Sequence, residues 1–468
     1  MSAGDRPAIF ALSSGNPPAA IAIIRISGPG ADAAVEALTG RLPAPRRVTL
    51  ATLRERGGEV LDKGLVLRFP GPDSATGEDL AELHVHGGRS VVAAVLAALG
   101  RIDGLRPAEP GEFTRRAFEN GRIDLSEAEG LADLLMAETQ SQRRAALALA
   151  GGALSRMVED WQRHLLGLSA RLEAALDFAD EGDVEDELPE AWKEGLVQLA
   201  RALNEMLARP PIERLRDGVR VVIAGPPNAG KSSLLNVLAG RDAAIISEIA
   251  GTTRDLVEAP TAIGGAPFLL VDTAGLRDSG DRIESIGIDR ARASLADADI
   301  ILWLGDPAEC PHRERAILIH SKADLAPPTT EADCSVSART GQGIDALIDL
   351  LTTRASALLP QQGEVAINAR HRSLLIEVRA CLEEAMAAYD PLVAAEALRQ
   401  ARLALDRITG RAAGRRLSRS QSGRIPPSSS RAAAVAASHA ASSRSRTGKS
   451  RRRVASVSPD SRLTRSSR

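Results

Sequence analysis

Val219-Arg220-Val221-Val222-Ile223-Ala224, then Gly225-Pro226-Pro227-Asn228-Ala229-Gly230-Lys231-Ser232, then Ser233-Leu234-Leu235-Asn236-Val237-Leu238, is the stretch that decides the fold of this chain. It reads as a buried strand, a glycine-rich loop of the pattern G-x-x-x-x-G-K-[ST], and the start of a helix. That order is the context a phosphate-binding loop requires. Backbone N–H groups of Asn228, Ala229, Gly230 and Ser233 are placed to face phosphates at the helix N-terminus. Lys231 is expected on the β- and γ-phosphates, and the Ser232 hydroxyl on Mg²⁺.

Further strands are expected at Phe268–Asp272, Ile300–Gly305 and Ala316–His320, separated by helical stretches. Such alternation predicts a parallel, doubly wound sheet. Asp272-Thr273-Ala274-Gly275 ends the second strand, where an acid can orient Mg²⁺ through water and a glycine backbone can sense a γ-phosphate. Gly251-Thr252-Thr253-Arg254-Asp255 lies between these two motifs, and Thr253 is placed to complete the Mg²⁺ shell as a switch loop does. Asp324 in Ser321-Lys322-Ala323-Asp324 can accept from the N1 and N2 hydrogens of guanine, which adenine lacks. Ser337-Ala338-Arg339 is the expected second base-contact loop.

Around this nucleotide module the chain divides into expected segments: 1–118 as an α+β unit, 119–215 as a first helical part, 216–359 as the insert, 360–410 as a second helical part, and 411–468 as a tail. Strands are expected at Ala20–Ile26 and Gly64–Phe69, and a helix at Ser90–Leu99. Ser126–Leu176 reads as helical with a break at Gly151-Gly152, and Ser126 with Glu129 matches a capping box. Ala191–Leu207 and Ala366–Ile408 carry helical spacing. His84 and His86 alternate on an expected strand and face one side, which fits hydrogen-bonded histidines better than a metal site. Asp177–Glu190 reads as a solvated acidic loop.

Composition narrows the class. Of 468 residues, 44% are hydrophobic but only 2% aromatic, so the core is mostly aliphatic. The longest apolar runs are too short for a transmembrane helix, and the N-terminus does not read as a secretory signal. Three scattered cysteines offer no disulfide framework or zinc spacing and fit a reducing, cytoplasmic setting. The net charge of −2 conceals an asymmetry: residues 411–468 hold 15 Lys/Arg against one acid, a net of +14, which leaves the body at −16. The tail has too little apolar surface to offset its ordering entropy and is expected to be disordered.

The chain resembles the TRAFAC-class GTPases, and within them the MnmE (TrmE) family of tRNA wobble-uridine modification GTPases. Outside the nucleotide module the resemblance rests on Ile24-Arg25-Ile26-Ser27-Gly28-Pro29, Thr76-Gly77-Glu78-Asp79, Glu82-Leu83-His84-Val85-His86-Gly87-Gly88, Pro110-Gly111-Glu112-Phe113-Thr114-Arg115-Arg116-Ala117-Phe118 and Asn120-Gly121-Arg122-Ile123-Asp124-Leu125. It implies a folate-binding, dimer-forming N-terminal domain and a helical domain that carries an inserted GTPase domain. It also implies C5 (carboxymethyl)aminomethyl-type modification of the wobble uridine of tRNA, made with the flavin-dependent partner MnmG in a heterotetramer. A 5-formyl- or methylene-tetrahydrofolate is the implied carbon source, with contacts at Arg25, Glu82 and Arg122. The family uses K⁺ where other GTPases place an arginine finger; its ligands map to Asn228, Ser247, Ile249 and Thr252. The glutamate that orients the attacking water maps to Glu284.

Departures from the family pattern are also legible. Ser321 stands where the family has asparagine. The early glycine-rich segment reads Ser14-Gly15-Asn16-Pro17-Pro18-Ala19-Ala20. The resemblance stops at Asp406-Arg407-Ile408-Thr409-Gly410, and no cysteine follows Cys381. A reading-frame shift near Gly410 is the favoured account of the basic tail; a segment that binds tRNA phosphates is the rival. Two other functions stay open on the sequence alone: a ribosome-assembly GTPase, and a nucleotide-binding scaffold inactive in modification.

Overall fold

The computed structural model describes residues 6–178, 190–241, 258–273, 292–328, 331–361 and 363–411. The expected acidic loop, the basic tail and the segments holding Ser247, Ile249, Thr252, Thr253, Ala274, Gly275 and Glu284 lie outside the described residues.

The N-terminal part is a six-stranded sheet built from β1 (Ala8–Leu12), β2 (Ile21–Ser27), β3 (Thr49–Arg54), β4 (Val60–Phe69), β5 (Leu80–His86) and β6 (Leu105–Pro107), in the order β3-β4-β5-β2-β1-β6. All pairings are antiparallel except β1 with β6. Period-two alternation sends Ile24, Ile26, Leu83 and Val85 to one face, where α1 (Ala31–Thr39) and α2 (Arg89–Gly100) bury them with Val35 and Val95. The opposite face is different. Leu50 and Leu65 stand opposed in register there, yet remain 54% and 39% exposed, and Ile21 is 62% exposed.

Helix α3 (Glu112–Glu119) is anchored by a buried ionic group. Arg116 donates to Glu112 and Glu78 at 3.0 Å each, and Glu78 accepts from Ser27. Two of the signature segments, T-G-E-D and P-G-E-F-T-R-R, therefore meet in a structural network.

The helical part holds α4 (Leu125–Met136), α5 (Gln140–Ala150), α6 (Ala153–Phe178), α7 (Glu190–Leu207), and the short α8 (Ile212–Asp217) before the nucleotide module. After the module come two more helices, Ala369–Ala387 and Pro391–Thr409. Leu165, Leu172, Trp192, Leu199, Val378, Leu382, Leu398 and Leu405 interlock into one core shared by helices before and after the insert. Helical spacing was enough to expect this bundle, but its breaks differ from expectation. The stretch Ser126–Leu176 breaks twice, because Thr139 and Gln142 form a capping box that starts α5. The capping box of α4 is Asp124 with Glu127 and not Ser126 with Glu129. Ser126 instead packs, fully buried, against Ser155, and Glu129 reaches across to Arg370 and His371. The stretch Ala366–Ile408 also breaks, at Asp390 and Pro391, where an N-capping aspartate precedes a proline in the first turn.

The nucleotide module is a second six-stranded sheet. Its strands β7 (Val219–Ala224), β8 (Glu258–Ile263), β9 (Ala266–Asp272), β10 (Ile300–Trp303), β11 (Ala316–Ser321) and β12 (Cys334–Val336) lie in the order β12-β11-β10-β7-β9-β8. Only β8 runs antiparallel to its neighbour. Val219, Val221 and Ile223 enter one core with Leu234 and Leu238, whereas Val222 and Ala224 enter another with Val271 and Ile301. Both faces of the sheet are covered, as a doubly wound parallel sheet requires. The described helices of the module include α9 (Lys231–Arg241) after β7 and α10 (Ile344–Leu358) after β12; Ala369–Ala387 and Pro391–Thr409 are hereafter α11 and α12.

Candidate active site

The loop between β7 and α9 has a backbone that few residues tolerate. Gly225 has φ +146°, and a Cβ there would sit 3.1 Å from the Leu304 backbone. Gly230 has φ +95° and Asn228 has φ +60°. Glycine relieves the first two positions, and asparagine is among the residues best suited to the third. The loop therefore curls over the end of β7. Nζ of the buried Lys231 donates to the carbonyls of Gly225 (3.1 Å) and Pro226 (2.9 Å), which closes the curl.

Ser232 begins the helix beside Lys231, and its Oγ donates to Oδ2 of Asp272 at 2.5 Å. Asp272 is the last residue of β9, and β9 is hydrogen-bonded to β7. Sheet pairing thus brings the loop serine and the strand-end acid together. The next residue, Thr273, is tied back by its N–H and hydroxyl to the carbonyl of Ile223. A hydroxyl and a carboxylate converging beside a lysine form a hard-oxygen donor set that suits Mg²⁺ held with phosphates. Ser232 and Asp272 are the described residues that would hold it.

On the far side of α9, a cavity of about 520 Å³ is lined by Gly230, Ser233 and Leu234 together with Ser321, Lys322, Asp324, Leu325, Val336, Ser337, Ala338 and Arg339. Of the two base-contact segments, Ser321, Lys322, Asp324, Ser337, Ala338 and Arg339 all line this one cavity, next to the phosphate loop, and Ala323 does not. The segments are stitched by a bond from Ala323 N–H to the Val336 carbonyl at 3.1 Å. Lys322 takes φ +58° to turn the chain toward Asp324. Oδ1 of Asp324 accepts from the fully buried Ser337 hydroxyl at 2.6 Å, and Oδ2 from Nε of Arg339 at 3.1 Å. Ser337 first and the Arg339 guanidinium with it hold the Asp324 carboxyl below the usual carboxylate range. The leucyl walls, Leu234 and Leu325, are not singled out by the sequence. Their signal is only that they flank the lysine loop and the aspartate.

The residues expected at a folate site divide. Arg25 on β2 and Glu82 on β5 are register partners, joined by bonds from Nε (3.1 Å) and Nη2 (2.8 Å) to Oε1. His84 sits 3.2 Å from the other oxygen, and Phe113 lies under the Arg25 guanidinium at 5.8 Å. Burial alone would raise the Glu82 pKa, but Arg25 and His84 outweigh it and hold the carboxyl low. Arg122 is elsewhere in the bonding pattern: it faces Asp73 at 3.7 Å, and no hydrogen bond or ion pair among the described residues joins it to Arg25 or Glu82. His86 pairs with Asp62 at 2.8 Å. Neither histidine belongs to a metal-type cluster among the described residues.

Fold and pocket together define a P-loop GTPase module set within a helical domain and preceded by an α+β domain. The family model described as "GTP-binding protein TrmE N-terminus" matches residues 8–122, and that described as "MnmE helical domain" matches residues 125–417. The tRNA modification GTPase MnmE of Rhizorhabdus wittichii is 58% identical over 86% of this chain and 92% of its own length. The proteins of that name from Erythrobacter litoralis and Novosphingobium aromaticivorans are 58% and 55% identical, over 86% of this chain and 95% of each of theirs. The chain belongs to the MnmE family of tRNA modification GTPases, and it is a GTP hydrolase. The ribosome-assembly alternative is set aside by these matches, which extend across all three parts of the chain.

Proposed function

We propose that this chain hydrolyses GTP in a K⁺-dependent manner to drive C5 (carboxymethyl)aminomethyl modification of a tRNA wobble uridine, as a homodimer working with an MnmG-type flavoprotein in the cytoplasm. The observation that carries the nucleotide half is the cavity that joins Gly230 and Ser233 to Asp324, Ser337 and Arg339. In this reading Asp324 accepts from the N1 and N2 hydrogens of guanine while Ser337 fixes its orientation. Loop N–H groups and Lys231 neutralise phosphate charge. Ser232, with Asp272 acting through water, would hold Mg²⁺, which would supply electrostatic stabilisation of charge on the transferring phosphoryl group. Asn228, exposed at the crest of the loop, is the described member of the K⁺ set; Ser247, Ile249 and Thr252 complete it, Thr253 joins the Mg²⁺ shell, and Glu284 orients the attacking water.

Two features of the N-terminal sheet support the rest of the reading. The open face with Leu50, Leu65 and Ile21 is an apolar surface suited to a second copy of the same sheet. The Arg25–Glu82 pair at its centre offers donors and acceptors for a tetrahydrofolate, with Arg122 as a further contact. No helix among the described residues is long and apolar enough to cross a membrane.

The test is GTP hydrolysis by the purified protein in K⁺ against Na⁺, with ATP as control. Hydrolysis of GTP alone, stimulated by K⁺ and lost in Glu284→Ala, is the expected result; equal rates in the two salts overturn the cation mechanism. Restoration of wobble-uridine modification in cells lacking the endogenous enzyme tests the tRNA half and separates a working enzyme from a scaffold.

A further inference from the structure

One cation lining the base pocket, Arg339, touches the base-reading carboxylate itself. Arg339 is 80% exposed along its side chain, yet its Nε is directed at Oδ2 of Asp324 at 3.1 Å. The other groups around Asp324 are fixed. Ser337 is fully buried, its hydroxyl serves Asp324 Oδ1 and also accepts from the Thr340 N–H, and its backbone is bonded to Gln342 and Gly341. Ala323 and Leu325, on either side of Asp324, are held by backbone bonds to Val336 and Lys322. Arg339 is therefore the one partner of this carboxylate that sits on a long, solvent-exposed stem.

Its chemistry resembles the ligand's. The edge of guanine that a carboxylate reads, N1–H, C2 and the 2-amino group, is itself a guanidine. An arginine side chain presents the same run of N–H donors around one carbon. We propose that Arg339 is a built-in surrogate for guanine: it bonds Oδ2 of Asp324, the oxygen a base would also use, so an incoming guanine nucleotide must displace it. This rests on the reading of the cavity as the base site.

Two consequences follow from an exposed pair of this kind. The lock is weak, because ion pairs at such exposure change an equilibrium by no more than about fivefold. It also acts on entry more than on exit, since Arg339 competes only while the pocket is empty. Removing it raises the association rate and leaves dissociation nearly unchanged. A residue that stacked on the bound base would do the opposite.

The experiment measures binding of a fluorescent GDP analogue to the full-length protein by stopped flow, for the native chain, Arg339→Gln and Arg339→Lys. The expected result for Arg339→Gln is association about two- to fivefold faster with an unchanged off-rate. Arg339→Lys, which keeps the charge but not the guanidine edge, should fall between. The ratio of Arg339→Gln to native rates should shrink toward one as salt rises, because the pair is screened. Slower association, faster dissociation or no change in Arg339→Gln overturns the proposal. Asp324→Asn separately tests the base site: the pocket should lose guanine and gain xanthine nucleotide, whose 2-oxo group accepts from the new amide. If that exchange of preference fails, the pocket reading falls; if it succeeds while Arg339→Gln is neutral, only the surrogate falls.

Discussion

Nε2 of His371 lies 3.0 Å from Oε2 of Glu129, and His371 is completely buried. Glu129 belongs to α4, ahead of the nucleotide module, and His371 to α11, behind it. Arg370 reaches the same carboxylate at 2.8 Å and also donates to the carbonyls of Arg407 and Ile408 at the end of α12. Asn368, the N-cap of α11, adds a bond to Glu129 at 2.9 Å. One carboxylate therefore gathers three residues from the re-entry point of the helical domain.

Burial alone would raise the pKa of Glu129, but hydrogen bonds from His371 and Arg370 outweigh it and set the value at about 2 against an ordinary 4.5. A carboxylate depressed on folding gives stability that is present above the unfolded value and is lost as pH falls through the folded one. Glu129→Gln should destabilise the protein by about 2–4 kcal/mol at neutral pH, since Arg370 loses its counter-ion. Urea unfolding should also show less loss of stability between pH 4.5 and 2 than in the native chain. An unchanged pH profile would remove Glu129 from this role.

Arg116 is a buried cation, with Glu112 and Glu78 as its partners and the Pro7 carbonyl at 3.0 Å. Arg116→Ala leaves the Glu78 carboxylate without its counter-charge, whereas Glu112 keeps Arg106. A loss of about 3–5 kcal/mol is expected, read as a lower urea midpoint for the N-terminal domain. The conservative Arg116→Lys should recover only part of it, because one ammonium cannot match the fork that touches Glu78, Glu112 and Pro7.

In the nucleotide pocket, Ser232→Ala removes the hydroxyl that faces Asp272. Hydrolysis should fall at least tenfold while fold stability changes little, since the serine lies at the first turn of α9 and not in its core. Titrating Mg²⁺ should show a higher concentration for half-maximal activity. A native Mg²⁺ dependence would place the metal elsewhere.

Leu50→Asp tests the open sheet face. Leu50 is 54% exposed, so the charge costs the isolated fold little. If the face is the dimer surface, sedimentation should report a monomer with native circular dichroism. A variant that still sediments as a dimer would assign the contact to another surface.

Some of this was readable in advance. The phosphate loop, β7 and its parallel partners follow from short apolar runs that end at glycine or aspartate, because a strand covered on both faces cannot hide its composition. The strands β1, β3, β6, β8 and β12 are not singled out by the sequence. β3 and β6 lie at the sheet edges, and Leu50 on β3 faces outward, so binary pattern gives no clear direction there. At the start of α4, Ser126-Glu129 and Asp124-Glu127 both satisfy the capping-box pattern; burial of Ser126 against Ser155 decides for the earlier pair. The breaks before α5 and α12 carried usable signals in Thr139-x-x-Gln142 and Asp390-Pro391. The pairing of Arg339 with Asp324 had none, since residues separated by 15 positions meet only through the sheet.

The two chain segments that lead into and out of the nucleotide module run side by side. Ile212 N–H bonds the Ile367 carbonyl at 3.2 Å, and Arg372 donates to the carbonyls of Leu207 and Arg209. The module is thus carried on a neck whose two ends already touch. A short glycine bridge from Arg209 to Val365 would span that gap, and the bundle core made by α6, α7, α11 and α12 contains no residue from the excised part. In modular terms, the nucleotide unit is a cassette plugged into a socket whose buried core it does not supply.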